Sequence, residues 1–438
     1  MKPLDTETDP RVVGPFELLA KLGQGGMGVA YLARRIPLEG FSDELAAAYN
    51  MVAPDEAAEG EASRLVVVKM IQPQLLDGEP QYRERFGREI DAVRAVVSDR
   101  VPALIAFDED PADGRPWFAM DHIAGPSLTT MVQKAGTFGL GPYAALGLAL
   151  VDALRAIHDA NMLHRDLKPD NVVLGPDGPV VLDFGLAVLI ERASSEALTK
   201  TGTRMGTRPY MPWEQYRDAK RADRPADVYA LAATLFFALT GRPPYPHGPS
   251  TSEPVWDGVG LPFLPLLAKT LVSIPAQRPD LDAVEDSLMT LLGDADLPPN
   301  TAAQQLKELV ASAGLAPKLP AGALSDDLDP EVQDLARQAI ETALPEMDLG
   351  FFGIVTTDEI ERAAEAADRA DGYTPTLADP APGPAPEPEA KPAPTSYRLP
   401  PPADPSPEPQ PPAPQAPPRS AQKVAAGLRQ RYARRGDL

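Results

Sequence analysis

The chain has 438 residues, of which 43% are hydrophobic, so it can build at least one large core and has room for two or three domains. It contains no cysteine and only four histidines, which excludes disulfide bonds and thiolate metal sites and makes a zinc cluster unexpected. The formal net charge of -22 argues against nucleic acid as the main partner and favours cationic partners.

Neither the start of the sequence nor its longest apolar run is typical of a membrane segment. The first residues, MKPLDTETDPRVV, lack an apolar signal core, and the longest apolar run, at 228–239, is too short to cross a bilayer. We therefore expect no membrane insertion. The lack of cysteine fits a reducing, cytoplasmic location.

A glycine-rich segment interrupts two strand-like runs in FELLAKLGQGGMGVAYLAR. Glycines at positions 23, 25 and 28 would let backbone amides close over phosphate oxygens without interference from side chains. A plain glycine-rich turn and a dinucleotide-binding fold, with acids at Asp43 and Glu44, are the alternatives. Because Pro37 follows where a dinucleotide fold would continue into a helix, a glycine-rich hairpin fits better.

Strand-like and helix-like apolar patterns alternate through residues 11–293, after an N-terminal segment at 1–10. We interpret residues 11–293 as the main folded domain. Residues 36–63 insert seven acidic residues and no basic one into this pattern. A solvated surface loop is the favoured interpretation of the insertion, with a docking element as the alternative.

The run RLVVVKMI is a β-branched strand that contains one lysine, Lys69. Burial of this lysine would be costly unless anions met it. Twenty residues further on, Glu89 lies in a segment with the apolar spacing of a helix. Taken alone, both residues have a simpler interpretation as solvated surface charges.

The stretch HRDLKPDN, residues 164–171, places Asp166 and Asn171 five positions apart, and Asp183 opens the sequence DFG twelve residues later. This spacing is typical of catalytic loops in phosphoryl-transfer enzymes. Magnesium prefers oxygen ligands, which a carboxylate and an amide can supply, while a second carboxylate can orient a hydroxyl group. The alternative is a polar turn beside an unrelated DFG.

Residues 296–371 predict three short amphipathic helices. Thr301 opens one capping-box pattern and Thr356 opens another, and Asp329 before Pro330 is typical of an N-cap followed by the first helical residue. We expect this region to form a helical extension of the main domain.

The end of the chain differs in composition. Residues 372–418 are dense in proline, which is typical of a polyproline-like or disordered linker. Residues 419–438 are basic, and a helix there would gather Val424, Leu428 and Tyr432 on one stripe. This tail is either a solvated basic end or an amphipathic helix that docks on the acidic main domain, on an acidic partner or on an anionic surface.

Together these motifs resemble the protein kinase superfamily, and in particular its bacterial serine/threonine branch. The resemblance covers residues 11–293 and implies an α+β, two-lobed fold, with an N-lobe of strands and one helix, a mainly helical C-lobe, and ATP between them. The residues that carry it are Gly23, Gly25, Gly28, Lys69, Glu89, His164, Arg165, Asp166, Lys168, Asn171, Asp183, Phe184 and Gly185.

The resemblance implies a role for each charged residue. Lys69 would bind the α- and β-phosphates and be held by Glu89. Asp166 would accept or orient the substrate hydroxyl, and Lys168 would steady the transferring phosphoryl group. Magnesium would be held by Asn171 and Asp183. The nucleotide would also contact the three glycines, and adenine would lie among Ala30, Val67, Met120, Asp121, Ile123 and Val173.

The resemblance also covers the segment GTRPYMPWEQ. It implies that Thr207 lies beside the catalytic loop and that Glu214 pairs with Arg278 of PAQRPD, while the apolar run at 228–239 forms the central helix of the C-lobe. Where the family has Ala-Pro-Glu, this chain has Pro-Trp-Glu, at residues 212–214. The substrate-docking end of the segment is therefore expected to differ in shape.

These features predict an ATP-dependent serine/threonine protein kinase that acts on protein substrates in cytoplasmic signalling. Thr199 and Thr201 lie where related kinases autophosphorylate, so activation by autophosphorylation is expected. A pseudokinase that serves as a binding scaffold is the main alternative. A small-molecule phosphotransferase is a third, against which Arg165, Lys168 and the segment leading to Arg278 count.

Overall fold

The computed structural model describes residues 1–25, 28–36, 49–51, 65–71, 90, 92–109, 111, 114–184, 208–218, 221–245, 254–325 and 327–343. All of them lie in one compact unit, residues 1–356. A sheet lobe is followed by a helical lobe, which is the α+β architecture that the sequence predicts. A C-terminal extension then returns from the second lobe to the first.

Six antiparallel strands form the N-lobe sheet, in the spatial order β1-β2-β3-β4-β6-β5. β2 and β3 pair as a hairpin in which Gly25 lies opposite Gly28, so the glycine-rich segment is the predicted hairpin. The strands are β1 (Val12–Val13), β2 (Phe16–Gly25), β3 (Gly28–Arg35), β4 (Leu65–Ile71), β5 (Leu104–Asp108) and β6 (Trp117–Asp121).

Several predicted features lie partly or wholly outside the described residues. The helix that should carry Glu89 is described at residue 90 and at 92–94, where it is helical, and Ile90 is fully buried. Glu89 itself lies outside, as do residues 185–207 and the whole of 344–438, which includes the third predicted helix, the linker and the tail.

Part of the acidic insertion is buried, which corrects the expectation of a solvated loop. The Tyr49 ring lies 5.9 Å from that of Trp117, and both side chains belong to the apolar core of the N-lobe, together with Met51. The backbone nitrogen of Phe107 donates to the carbonyl of Tyr49 at 3.0 Å. Through Tyr49 and Met51, therefore, the insertion is part of the N-lobe core, because burial of these apolar side chains removes them from water.

In the residues that the structure describes, the C-lobe consists of helices and one small hairpin. Its helices are α1 (Leu128–Ala135), α2 (Leu140–Asp159), α3 (Trp213–Arg217), α4 (Arg224–Thr240), α5 (Leu264–Thr270) and α6 (Leu281–Gly293). The hairpin pairs β7 (Val172–Gly175) with β8 (Gly178–Val181) and follows the short 3-10 turn Pro169–Asn171.

Helix α4 is the central helix of the C-lobe, as predicted. Asp223 caps its N-terminus, Gly241 ends it in the left-handed conformation, and the residues between are buried almost all round. Helix α2 packs against α4 and α6. In the described part of the chain α2 is long and apolar enough to span a membrane, but most of it is buried inside the protein, as in a core helix.

The C-terminal extension contains two described helices, α7 (Pro299–Ala313) and α8 (Pro330–Ala343). Helix α7 begins two residues before Thr301 and has no side-chain cap, so the predicted capping box is wrong there: Pro299 already has the backbone geometry of a first helical residue. The N-cap at Asp329 is confirmed, because its Oδ1 accepts a hydrogen bond from the nitrogen of Glu331 at 3.0 Å.

Candidate active site

The loop between α2 and β7 carries three of the predicted catalytic residues side by side. The Lys168 Nζ lies 2.6 Å from the Asp166 Oδ2. The Asn171 Nδ2 donates to the backbone carbonyl of Asp166 at 2.8 Å, which leaves the Asn171 amide oxygen as its available metal ligand. Asp166 and Lys168 are only partly buried, so both remain accessible to a substrate.

Lys69 links the N-lobe sheet to the residue that opens DFG. It is buried on β4, and its Nζ lies 2.8 Å from the Asp183 Oδ1. Burial would raise the pKa of Asp183, but the charge and hydrogen bond of Lys69, together with His164 and Lys168, hold that pKa below its usual value, so the carboxylate is charged at neutral pH. Asp183 also has a positive φ of 59°, a strained conformation that is typical of functional residues.

The glycine-rich hairpin leaves open space where the resemblance implies phosphates. A Cβ atom added at Gly23 or at Gly25 would meet no other atom within 4 Å. At Gly28 the φ is 153°, and an added Cβ would lie 1.9 Å from the carbonyl oxygen of Met70 on β4. Gly28 is therefore required for β3 to approach β4, whereas Gly23 and Gly25 keep room for a ligand.

The predicted adenine residues lie on neighbouring strands and at the start of the C-lobe. Ala30 pairs with Lys69 across β3 and β4, and Val67 pairs with Met120 across β4 and β6. Because side chains alternate along a strand, Val67 and Lys69 point to the same face of the sheet. Val173 on β7 is buried.

The two remaining predicted residues follow at the connection between the lobes. Asp121 ends β6 and is exposed, and its Oδ2 accepts a hydrogen bond from the nitrogen of Ala103 at 3.1 Å. Ile123 lies against β7, since a Cβ added at Gly175 would be 2.8 Å from the Ile123 Cγ2.

One residue that holds the catalytic loop was not predicted. The Asp227 carboxylate on α4 accepts hydrogen bonds from the backbone nitrogens of His164 and Arg165, both at 2.9 Å, and lies 2.8 Å from the His158 Nε2. Arg165 has a positive φ of 65°, so the loop backbone is strained at the residue whose nitrogen is hydrogen-bonded to Asp227. A lone carboxylate in the apolar run that follows Pro225 was the signal in the sequence.

A second contact reaches the catalytic loop from α3. The Gln215 Nε2 donates to the backbone carbonyl of Arg165 at 2.6 Å. The neighbouring Glu214 forms the predicted pair with Arg278, with nitrogen to oxygen distances of 2.5 and 3.0 Å, which confirms that prediction. Trp213 stacks on Tyr216 with ring centroids 5.7 Å apart and stays 38% exposed, so an aromatic surface stands at the altered Pro-Trp-Glu position.

Five predicted functional residues lie outside the described part of the chain: Glu89, Gly185, Thr199, Thr201 and Thr207. The pairing of Lys69 with Glu89 therefore stays a prediction. The described residues nevertheless bring together Asp166, Lys168 and Asn171 on one loop, and they pair Lys69 of the N-lobe sheet with Asp183, which follows β8. These are the charged and amide groups from which the sequence predicts a phosphoryl-transfer site.

Residues 55–279, just over half of the chain, match the protein kinase domain family. The chain belongs to the protein kinase family. Members of this family generally use ATP and Mg²⁺, and their substrates include proteins.

Similar proteins include serine/threonine-protein kinases of bacteria. Over 287 residues the chain is 34% identical to serine/threonine-protein kinase AfsK of Streptomyces coelicolor, a match that covers 66% of this chain and 30% of that protein. It is 32% identical over 284 residues to serine/threonine-protein kinase PknF of Mycobacterium tuberculosis, which covers 60% of this chain and 53% of the relative. The chain therefore spans between about a third and about half of these relatives' lengths.

Among solved structures, the crystal structure of the PknI kinase domain of Mycobacterium tuberculosis is similar to this chain. The sequence identity is 22% and the TM-score is 0.49, with 65% of this chain and 100% of that chain covered.

Proposed function

We propose that this protein is a serine/threonine protein kinase that transfers the γ-phosphoryl group of Mg-ATP to hydroxyl groups of proteins in the cytoplasm. Two contact sets carry the proposal together: Asp166, the carboxylate proposed to orient a hydroxyl, lies beside Lys168 and Asn171, and Lys69 forms an ion pair with Asp183. The bacterial serine/threonine-protein kinases to which the chain is similar add support.

The donor set suits a nucleotide with a divalent cation. Asp183 is charged and Asn171 offers an amide oxygen, and hard cations such as magnesium take such oxygen ligands. Bound there, magnesium would neutralise charge on the phosphate oxygens. Lys69, which already lies against Asp183, would contact phosphates from the N-lobe side, and the open glycine hairpin would cover them.

Asp166 is the residue proposed to act on the protein substrate. Its carboxylate would accept the proton of the attacking hydroxyl as the oxygen bonds to the γ-phosphorus and the bond to the β-phosphate bridging oxygen breaks. The Lys168 ammonium, 2.6 Å from that carboxylate, would stabilise negative charge on the group in transfer. Both side chains are placed by a loop that Asp227 and Gln215 hold.

The pseudokinase alternative is less well supported. A scaffold that only borrows the kinase shape has no need for Lys69, Asp166, Asn171 and Asp183 together, yet each is present and each has the contacts described above. The named relatives are also serine/threonine-protein kinases.

Two finer features belong to the proposal. Thr199 and Thr201 are proposed autophosphorylation sites, because Lys200, Arg204 and Arg208 lie nearby in the sequence and could pair with a phosphate. Mass spectrometry of active protein should find at least one of the two threonines modified. The basic tail is proposed to dock on the acidic kinase domain or on an acidic partner.

Phosphoamino-acid analysis tests the proposed specificity. Purified full-length protein is incubated with γ-labelled ATP, magnesium and a mixed protein substrate, and the labelled protein is hydrolysed. Label on phosphoserine and phosphothreonine is expected. Label only on phosphotyrosine, or transfer only to small molecules, would contradict the proposal.

A further inference from the structure

Arg34, near the end of β3, holds the C-terminal extension to the N-lobe through a buried guanidinium. Its Nε donates to the Glu17 Oε2 at 2.5 Å, which balances the charge inside the lobe. Its two terminal nitrogens donate to three backbone carbonyls of the extension: Nη2 to Asp327 at 3.0 Å, and Nη1 to Gly322 at 3.2 Å and to Ser325. Because the N–H donors of a guanidinium have a fixed planar geometry, these hydrogen bonds select one backbone conformation of the extension.

Helix α8 continues this attachment with apolar contacts. Val332 and Ala336 are fully buried and pack against Ile36, the residue that follows β3. Further along the helix, the carbonyl of Ala339 accepts a hydrogen bond from the hydroxyl of Tyr49, in the buried part of the acidic insertion, at 3.2 Å. One face of α8 is thus part of the N-lobe.

The segment before α8 reaches the strands that carry the glycine-rich hairpin. Ala323 is 3% exposed and packs in one cluster with Leu32 on β3 and Leu65 on β4. Leu22, which immediately precedes the first glycine of the hairpin, packs against the same cluster. The Gly322 φ of 76° turns the chain into this contact, a conformation that other residues rarely adopt.

The other end of the extension is fixed to the C-lobe. Helix α7 packs along α2, with Ala302 and Leu306 buried, and also meets α1 and β8. The approach to α2 is close, since a Cβ added at Gly141 would lie 2.0 Å from the Gln305 Oε1. One continuous segment is therefore attached to both lobes, on a path that is separate from the connection after β6.

We propose that residues 299–343 form a strap that positions the β2–β3 hairpin over the nucleotide, with Arg34 as its positioning residue on the N-lobe. The strap lies beyond the residues that match the kinase family, and Arg34 lies before them. This inference rests on the proposed kinase activity, because it assigns the strap a part in the binding of Mg-ATP.

The strap would act on nucleotide affinity more than on the chemical step. It contacts the root of the glycine-rich hairpin through Leu22 and Leu32, whereas Asp227 on the C-lobe helix α4 holds the backbone of Arg165, next to Asp166. Release of α8 should therefore let the hairpin move away from the phosphates while the catalytic loop keeps its geometry. The expected signature is a higher KM for ATP with little change in kcat.

A matched pair of substitutions on α8 tests the strap in the full-length protein. Ala336→Asp places a carboxylate at a position with no exposure, against Ile36, and should release the helix. Gln338→Asp places the same group on the exposed face of the same helix and serves as the control. The measurements are KM and kcat for Mg-ATP with a serine-containing protein substrate, and amide hydrogen exchange in β2 and β3.

For Ala336→Asp we expect KM for ATP to rise at least about fivefold, kcat to change less than about twofold, and exchange in β2 and β3 to accelerate. Gln338→Asp should match wild type in all three. Arg34→Lys keeps the charge beside Glu17 but loses the three-carbonyl fork, so it should shift KM in the same direction and provides the test if Ala336→Asp fails to fold.

Two results would contradict the proposed role of the strap in nucleotide binding. One is an unchanged KM and unchanged exchange in β2 and β3 for both Ala336→Asp and Arg34→Lys. The other is a loss of thermal stability with wild-type kinetic constants, which would make the extension a stabilising appendage. If wild type transfers no phosphoryl group but binds Mg-ATP, the proposed function fails, while nucleotide affinity and exchange still decide the role of the strap.

Discussion

The Asp227 carboxylate accepts a hydrogen bond from the backbone nitrogen of Arg165, the residue next to Asp166, at 2.9 Å. Its second oxygen accepts a hydrogen bond from the nitrogen of His164, also at 2.9 Å. Asp227 is 1% exposed and sits in α4, the central helix of the C-lobe. The core helix thus fixes the backbone that carries the proposed catalytic carboxylate.

Asp227→Asn should therefore damage both catalysis and folding. An amide can accept at only one of its two positions, so one loop N–H would face an N–H donor and lose its partner. We expect the free energy of unfolding to fall by about 1–3 kcal/mol, and kcat to fall by up to roughly 10²-fold through misplacement of Asp166. Urea titration and steady-state kinetics measure the two effects. Asp286→Asn, an exposed change on α6, is the control and should alter neither quantity.

The adenine pocket offers a test of whether Ala30 and Val67 share one space. A valine is typical of the family at position 30 and an alanine at position 67, so the two sizes are exchanged in this chain. The strands that carry them pair directly, with Ala30 opposite Lys69 and Leu32 opposite Val67. Val67→Ala should weaken nucleotide binding by about 1 kcal/mol by leaving a gap, and a second change, Ala30→Val, should restore it.

Calorimetric titration of the two single variants and the double variant with an ATP analogue completes this cycle. A coupling between the changes is expected. Strictly additive effects on affinity would place the two side chains in separate pockets.

Stability should depend on pH through two histidines. Burial lowers the pKa of His164, against the opposing pull of Asp227 and Asp166, and burial also lowers the pKa of His122. The unfolded chain, with histidine pKa values of about 6.5, then binds more protons than the folded protein at and just below that pH. The free energy of unfolding should therefore fall as the pH is lowered from 7 to 5.5.

Denaturant titrations across that pH range, on wild type and on His122→Gln/His164→Gln, measure this contribution. The double variant should have a shallower pH dependence. The pKa of Asp183 is held below its usual value, so the stability that this carboxylate contributes is lost only when the pH falls further. An unaltered slope in the double variant would show that neither histidine is linked to folding.

The basic tail should affect the protein in a salt-dependent manner. Residues 419–438 carry several arginines and one acid, on a chain with a net charge of -22. If they dock on the acidic kinase domain or an acidic partner, deletion should change activity or partner binding at low salt, and the difference should shrink as salt screens the charges. Identical behaviour of the truncated and full-length proteins at both salt concentrations would identify the tail as a solvated end.

Local sequence predicted the site better than it predicted the extension. The positions of Asp166, Asn171 and Asp183 follow from spacing within short motifs, and the burial of α4 follows from its apolar composition. By contrast, the contact of Arg34 with Gly322 joins residues 288 positions apart. Periodicity encodes which face of an element is buried, and it does not encode which distant segment covers that face.

Asp227 and the acidic insertion also show that local sequence does not encode contacts with distant segments. Asp227 was missed because its partners in the catalytic loop are backbone nitrogens, which leave no mark in the sequence of that loop. In the acidic insertion, the charges that surround Tyr49 favoured a solvated loop, although that side chain is 3% exposed.

The most direct test of kinase activity compares Asp166→Asn with Asp170→Asn. Both changes remove one carboxylate from the same short loop, but Asp166 lies beside Lys168 and Asn171 whereas Asp170 is exposed. Transfer of labelled phosphate from Mg-ATP to protein is measured with purified, folded variants. We predict that Asp166→Asn lowers transfer by several orders of magnitude while Asp170→Asn stays near wild type. Substantial phosphoryl transfer by folded Asp166→Asn would contradict the account.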